Sequence, residues 1–157
     1  DGREVILTPS VDTDTSALKT VERLWTAAGA RITHMSVADH DAALAASSDV
    51  PHMVAYALTS MLADHGLSPM KHGGGALRDM TRIAASDPLM WRDIALTNRD
   101  AILNAMDAMA QEHDHLRTLI AEADGDEIET FFARCKEVRR KHDDILNPLT
   151  PESEKAD

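Results

Sequence analysis

One long stretch of helical periodicity, residues 88–122, constrains the fold more than any other feature of the sequence. Between Ile94 and Ile120, apolar side chains recur at intervals of three and four residues, the spacing that places them on one face of an α-helix. Ser86 or Asp87 provides the capping residue, and Pro88 the first-turn proline, that are typical of a helix start. The pattern predicts one continuous helix, about 50 Å long at about 1.5 Å per residue.

A helix of that length would extend beyond the core of a 157-residue monomer. We therefore expect it to pack against a second copy of the chain in a two-fold homodimer, the commonest symmetric assembly. The alternative is a long intramolecular hairpin between the last two helices.

Helical patterns also cover most of the remaining sequence. A first helix is predicted within residues 12–29, and a second helical region over 37–65, in which Pro51 should kink the helix or divide it. A short helix is predicted over 76–86. A final helix begins after Gly125, and five of its apolar side chains are expected to point inward: Ile128, Phe131, Phe132, Cys135 and Val138. The fold class is therefore mainly α.

The first 34 residues follow a different pattern. "EVILTPS" is an apolar β-branched run that ends at Pro9, and "RITHM" is a second short extended segment; both predict strands. With a helix between them, the order strand, helix, strand resembles the end of a βαβ unit. Nothing earlier in this sequence could pair with the first strand, so we expect the chain to begin inside a larger structure.

Charge and cysteine content exclude some classes of function. A formal net charge of -11 argues against a nucleic-acid or anionic-membrane surface, because both require clustered Lys and Arg. Cys135 is the only cysteine, so no intrachain disulfide can form and a reducing compartment is indicated. No apolar run approaches the roughly 20 residues of a membrane span, and the N-terminus has no signal-peptide pattern. We expect a cytoplasmic protein.

A first group of candidate functional residues lies on or beside the helix that Pro51 interrupts. His40, Asp41, Ser48 and His52 occur there, and imidazole and carboxylate groups are common metal ligands. The metal-site hypothesis is weak, since no further His and Asp complete a ligand set at a clear spacing. A surface histidine and a capping aspartate explain His40 and Asp41 better than a metal site does, and His52 could be a satisfied core histidine or a ligand-binding one.

A second group follows the glycine run Gly73 to Gly75, where the otherwise acidic chain concentrates positive charge. Arg82 lies among apolar neighbours, and a guanidinium held there offers a planar fork to a carboxylate. The alternative is an exposed ion pair with a nearby aspartate, which contributes little.

Three segments resemble the C-terminal substrate-binding and dimerisation domain of the prephenate dehydrogenase family, which includes arogenate dehydrogenases. They are "VILTP", "HDAALAASSDVPHMVAYAL" and "GGGALRDMTRIAASDPLMWRDIALTN", and the resemblance extends over residues 5–140. It implies oxidative decarboxylation of prephenate by NAD or NADP, giving 4-hydroxyphenylpyruvate on the route to tyrosine. It also implies that residues 1–34 end a dinucleotide-binding domain, that 35–147 form an all-helical substrate-binding and dimerisation domain, and that 148–157 are a disordered tail.

No GxGxxG fingerprint occurs in the chain, so the resemblance implies that the cofactor and the catalytic base belong mainly to a domain before Asp1, and that the chain alone is inactive. It implies substrate-binding roles, and no metal, for six residues: Arg82, His52, Ser48, Gly74, Trp91 and Asp41. Arg82 would grip a substrate carboxylate, His52 would face the substrate, and Trp91 would reach the site entrance across the dimer.

The sequence departs from the family motif Ser-His-Leu-Pro-His at two positions, where it has Asp49 and Val50. A carboxylate in place of the first histidine could favour arogenate, which carries an amino group, or could lie behind the site without effect. A different class of function also fits the chain: a dimeric, catalytically silent regulatory module that binds an aromatic amino acid such as tyrosine. Tyrosine could equally act as a feedback inhibitor of the enzyme.

Overall fold

The computed structural model describes residues 2–64, 66 and 68–146. The predicted disordered tail, 148–157, lies outside the described residues. The fold is mainly α, as predicted, with a short two-stranded parallel sheet at the N-terminus. The chain forms two compact units, Asp1–Ala108 and Met109–Asp157. The domain boundary at residue 34 that the family resemblance implies stays a prediction.

The N-terminal piece has the predicted order of strand, helix and strand. Strands β1 (Glu4–Leu7) and β2 (Arg31–His34) pair in parallel, with Val5 opposite Ile32. Helix α1 (Thr15–Ala27) connects them, as a parallel pair requires a crossover. The chain leaves α1 through Gly29, whose positive φ of 85° is a conformation that glycine adopts without steric cost.

Helix α1 begins at a well-formed cap. The carboxylate of Asp14 accepts hydrogen bonds from the Ser16 hydroxyl at 2.6 Å and from the Ala17 amide at 2.7 Å. These two bonds lower the pKa of Asp14 below its ordinary value, because they favour the ionised carboxylate. The bond from Ser16 has the larger effect.

The second helical region is divided next to Pro51, the second of the two predicted outcomes. Helix α2 (Val37–Leu44) runs into a π-helical turn, Ala45–Asp49, and helix α3 (Val50–Ala63) follows. Pro51 therefore lies in the first turn of α3, where its missing N–H is tolerated. The wider π turn accommodates the proline ring, which would clash with the carbonyl four residues earlier in a regular helix.

The predicted continuous helix over 88–122 is wrong. Helices α5 (Pro88–Thr97) and α6 (Arg99–Glu122) are separate elements that meet at Asn98, whose φ and ψ are -104° and 28°. The break is one residue wide, since the Asn98 amide still donates to Ile94 O at 2.9 Å. Side-chain hydrogen bonds of Asn98, described below, compensate for the interruption.

Between α3 and α5, the predicted short helix consists of two parts. Helix α4 (Gly75–Thr81) is followed by a 3₁₀ turn, Arg82–Ala85, and a smaller 3₁₀ turn, Pro69–Lys71, precedes α4. The Arg82–Ala85 turn packs against α3.

The C-terminal unit contains the end of α6, helix α7 (Gly125–Lys141) and the short helix α8 (Asp143–Leu146). Ile128 and Phe131 are half-buried, and the Phe131 ring lies edge-on to His115 at 5.7 Å. Phe132, Cys135 and Val138 are exposed, so the prediction that they point inward is wrong. Within the chain, fewer apolar side chains of α7 are covered than the periodicity of its sequence predicts.

The best-buried side chains of the N-terminal unit come from the π turn and from helices α3, α5 and α6. They are Ala45, Asp49, Val50, Ala55, Trp91 and Ile102. Five of these residues are apolar and Asp49 is a carboxylate. The buried part of this unit therefore contains a polar side chain. Within the described residues, no helix is long and apolar enough to cross a membrane.

Candidate functional site

The imidazole of His52 and the indole of Trp91 form a stacked pair. Their ring centroids lie 3.7 Å apart with an interplanar angle of 26°. His52 is in the first turn of α3 and Trp91 is in the first turn of α5, which begins at the Asp87 cap. Trp91 is 7 % exposed, so the stack fixes one face of a half-buried histidine against a buried ring.

The π turn fixes the orientation of the same histidine. His52 Nδ1 donates to the backbone carbonyl of Ser48 at 2.9 Å. A carbonyl can only accept, so Nδ1 carries a proton and the second ring nitrogen, Nε2, has a lone pair in the neutral imidazole. His52 can therefore accept a hydrogen bond through Nε2 when neutral, or attract an anion when protonated.

Asn98 connects the break between α5 and α6 to the π turn. Its side-chain nitrogen donates to the carbonyl oxygen of Asp41 at 3.0 Å and to Asp49 Oδ2 at 3.1 Å. Asp49 is 5 % exposed. The residue that replaces the family's first motif histidine is therefore a buried carboxylate bonded to an amide of its own chain.

Arg82 begins the 3₁₀ turn that packs on α3, and its side chain is exposed. It makes no hydrogen bond or ion pair with any residue that the structure describes. The neighbouring arginines differ, because Arg78 pairs with Asp79 at 3.1 Å and Arg92 with Asp93 at 2.8 Å. The alternative of an ion pair between Arg82 and a nearby aspartate is not observed, and its guanidinium fork is available to a ligand.

Tyr56 connects the turn of Arg82 to the helix of His52. It lies one helical turn after His52 on α3, and its hydroxyl donates to the carbonyl of Ser86 at 3.4 Å. Ser86 directly follows the Arg82–Ala85 turn. Arg82 and His52 are thus carried by elements that contact each other.

The glycine run before α4 is tightly packed at one position and open at the next. A Cβ atom on Gly73 would overlap the side chain of Leu77, whereas nothing lies within 4 Å of a Cβ placed on Gly74. Gly74 is the residue before α4 and is exposed. Helix α4, which Gly74 directly precedes, packs against α3, the helix of His52.

Asp41 and His40 interact mainly with each other. His40 Nδ1 lies 3.0 Å from Asp41 Oδ1 at the surface of α2. Among the residues that the structure describes, no group of three or more His, Cys, Asp or Glu side chains could hold a metal ion. The hydrogen bond between the two side chains accounts for the pair. The backbone carbonyl of Asp41 accepts a separate hydrogen bond from Asn98.

The structure thus brings together three of the six predicted site residues, Ser48, His52 and Trp91. It places Arg82 on an adjoining element, connects Asp41 to Asn98 through a backbone carbonyl, and places Gly74 directly before α4, which packs against the helix of His52. Asn98 and Tyr56 were missed by the sequence reasoning. Asn98 left a signal, since asparagine is a poor helix former in the middle of an apolar helical pattern.

Comparison with known families and proteins bears directly on this arrangement. Residues 36–134 match the family model described as "Prephenate dehydrogenase, dimerization domain". The chain belongs to the prephenate dehydrogenase family. The matched span includes the π turn, the His52–Trp91 stack, Arg82 and Asn98.

Curated relatives agree with the family assignment. The chain is 38% identical over 139 residues to a cyclohexadienyl dehydrogenase of Zymomonas mobilis, covering 86% of this chain and 47% of the relative. It is 36% identical over 137 residues to a prephenate dehydrogenase of Bacillus subtilis, covering 85% of this chain and 37% of the relative. The chain spans less than half the length of these two relatives.

Solved structures share the fold. Prephenate dehydrogenase from A. aeolicus, in complex with hydroxyphenyl propionate and NAD+, superposes with a TM-score of 0.83 at 36% identity, over 88% of this chain and 49% of that one. Synechocystis arogenate dehydrogenase superposes with a TM-score of 0.80 at 26% identity, over 88% of this chain and 52% of that one.

Proposed function

We propose that this chain is the substrate-binding and dimerisation part of a prephenate dehydrogenase, which oxidises prephenate with NAD or NADP to 4-hydroxyphenylpyruvate. The observation that carries the proposal is the guanidinium of Arg82, which pairs with none of the described residues and lies on a turn packed against the helix that presents His52. Prephenate is a dianion, and an acidic chain requires concentrated donors to bind it.

Each residue has a distinct part in this proposal. Arg82 binds a substrate carboxylate through its planar fork. His52 presents Nε2 to a polar group of the substrate, because Nδ1 is held by Ser48 O. Trp91 supports the imidazole from behind and excludes water from its inner face, and Gly74 leaves room for the substrate beside α4. No residue of this chain is assigned as the catalytic base.

The residues of this chain do not fit a nicotinamide dinucleotide by themselves. The connection from β1 to α1, residues 8–14, contains no glycine, whereas a phosphate-binding turn needs close backbone approach. We propose that residues 1–34 complete a dinucleotide-binding domain and that the cofactor is held mainly by that domain. The 157 residues alone should neither bind NAD tightly nor oxidise prephenate.

We also propose that the partner is a second copy of this chain. Leu103 and Met106, three residues apart on α6, are 45% and 41% exposed, so apolar surface remains uncovered within the chain. The name of the matching family model, a dimerization domain, supports this interpretation. We further propose a cytoplasmic location, which suits an exposed free Cys135.

Prephenate is preferred over arogenate in this proposal because Asp49 is buried and bonded to Asn98, so its carboxylate does not face a ligand's amino group. If Asp49 instead contacts the ligand, we expect arogenate to be the substrate.

The proposal is tested by measuring the chain with and without a nucleotide-binding domain from a relative. Prephenate oxidation should require both parts, and calorimetry should show hydroxyphenyl propionate binding that depends on Arg82. Tyrosine and arogenate are measured in parallel. Binding of tyrosine, with no dehydrogenase activity in the combined protein, would instead support the regulatory module. Saturable micromolar binding of NAD to the isolated chain would contradict the assignment of the cofactor to the other domain.

A further inference from the structure

We infer that Asp49 and Asn98 are positioning residues that hold Trp91 against His52. The hydrogen bonds from the Asn98 carboxamide to Asp41 O and Asp49 Oδ2 are called the clamp below. The inference rests on the proposed function only where it concerns the role of the His52–Trp91 stack in ligand binding. The geometry from which the positioning role is inferred is independent of any ligand.

The clamp joins the two helices that form the stack. Asn98 is the one residue between α5 and α6, directly after the helix of Trp91. Asp49 ends the π turn, three residues before His52 on α3. The bond of 3.1 Å between Asn98 Nδ2 and Asp49 Oδ2 therefore connects the end of α5, which carries Trp91, to the start of α3, which carries His52.

Both side-chain N–H groups of Asn98 are used. One donates to Asp41 O at 3.0 Å and the other to Asp49 at 3.1 Å, which is all that one carboxamide nitrogen can donate. Two acceptors on different elements fix the amide in direction as well as in distance. The break between α5 and α6 therefore has one defined geometry.

Burial makes the clamp restrictive. Asp49 is 5 % exposed, and a carboxylate so far from water is costly to hold unless it is hydrogen-bonded. If α5 moved away from the π turn, Asp49 would lose the Asn98 bond while it stayed buried. The arrangement with Trp91 stacked on His52 is the one in which the carboxylate keeps its donor.

The clamp also decides what Asp49 does not do. Its Oδ2 atom faces Asn98, and the side chain is almost wholly covered. Asp49 consequently influences ligand binding through the position of Trp91 and His52, and it does not supply a counter-charge for an ammonium group. Its effect should be similar for prephenate and for arogenate.

Tryptophan fluorescence tests the clamp without any ligand. The chain has two tryptophans, and a Trp25→Phe background leaves Trp91 as the only reporter. In that background, Asn98→Ala should shift Trp91 emission to the red and increase its quenching by iodide, with unchanged helical circular dichroism. Asn104→Ala, at an exposed asparagine on α6, is the matched control and should leave both signals unchanged.

Two substitutions at Asp49 separate geometry from charge. Asp49→Asn retains an oxygen acceptor for Asn98 and should keep the emission of the background protein. Asp49→Ala removes the acceptor and should reproduce the red shift. Asp49→Ala leaves the bond from Asn98 to Asp41 in place, so it provides the test if Asn98→Ala does not fold.

The structural alternative predicts a different result. A clamp that only stabilised the fold would lower the melting temperature and leave the Trp91 spectrum of the folded protein unchanged. An unchanged spectrum and unchanged quenching in folded Asn98→Ala, or in Asp49→Ala where that variant is used, would overturn the inference.

A ligand measurement extends the test to the combined protein with its nucleotide-binding domain. Asn98→Ala should weaken hydroxyphenyl propionate binding about tenfold, equivalent to about 1.4 kcal/mol, whereas Asp49→Asn, which keeps an acceptor for Asn98, should retain most of the affinity of the parent. If the parent protein binds no such ligand, the proposed function fails while the fluorescence result still decides the clamp. If the parent binds and Asn98→Ala binds equally well, the clamp has no role in positioning.

Discussion

Replacing Arg82 by alanine should weaken carboxylate binding and leave the fold intact. Arg82 is exposed and makes no hydrogen bond or ion pair with the described residues, so its removal strands no buried partner. Exposed substitutions of this kind usually change the free energy of unfolding by less than about 0.5 kcal/mol. The effect should therefore appear in ligand binding and in kcat/KM, and not in the melting temperature.

The magnitude follows from the contact that the guanidinium would make. A hydrogen bond to a charged group contributes about 1.5–3 kcal/mol, which corresponds to a loss of roughly tenfold to 150-fold in affinity. The exposure of Arg82 favours the lower part of that interval, because solvent and salt screen an exposed charge. Arg82→Lys should recover only part of the loss, since an ammonium keeps the charge without the planar fork.

The assay compares steady-state kinetics for prephenate and calorimetry for hydroxyphenyl propionate in the combined protein, with circular dichroism to confirm folding. Arg78→Ala and Arg92→Ala are matched controls, because each removes an exposed arginine that already pairs with an aspartate. Cofactor affinity should stay unchanged in all three variants. A folded Arg82→Ala protein with the kinetics of the parent would refute the assignment of Arg82 to the substrate carboxylate.

Three further predictions follow from particular contacts. Gly73→Ala should lower the free energy of unfolding by about 1–3 kcal/mol because its Cβ overlaps Leu77, while Gly74→Ala should have little effect; equal thermal melts would contradict this. Because the pKa of Asp14 is lowered, its cap stabilises the fold above the ordinary carboxyl pKa and loses that contribution as pH falls through the lowered pKa. Asp14→Asn should therefore flatten this part of the curve of melting temperature against pH. Identical curves for the two proteins would count against the prediction. Met106→Glu should place a charge on the exposed face of α6 and shift the mass measured by light scattering from dimer to monomer; a parent chain that is already monomeric at micromolar concentration would exclude the dimer.

Much of the fold could be predicted because local signals determine it. Asp14, Asp87 and Asp124 each cap the helix that the sequence pattern predicts, and the two β-branched runs form the two strands. Caps and periodicity act over a few residues, so a single sequence contains the necessary information.

The interruptions could not be predicted in the same way. At the break between α5 and α6, the Asn98 side chain bonds to Asp49 and to Asp41, which lie 49 and 57 positions earlier in the chain. Periodicity does not report such long-range bonds, so the break at Asn98 was not predicted, whereas Pro51 did indicate that the second helical region is divided. The exposed side of α7 was missed because an apolar stripe does not indicate what covers it.

The candidate site was predictable to a similar extent. The residue types and the motif indicated His52, Trp91 and Arg82, but not that the indole stacks on the imidazole of its own chain. The departure at Asp49 was visible in the sequence. Its burial, and the amide of Asn98 that satisfies it, required the structure.

The π turn Ala45–Asp49 has a consequence for how the chain can be edited. A regular α-helix advances by about 100° per residue, and a π turn contains one residue more than the backbone would otherwise use. Because the π turn fits this extra residue into a single turn, deleting one residue between 45 and 49 would convert the turn to regular α-helix and leave α2 in about the same orientation relative to α3. The same deletion within Val37–Leu44, where the helix is regular, would instead rotate the residues before it by about 100°. In an alignment with a relative whose helix is regular at this point, a one-residue gap belongs here.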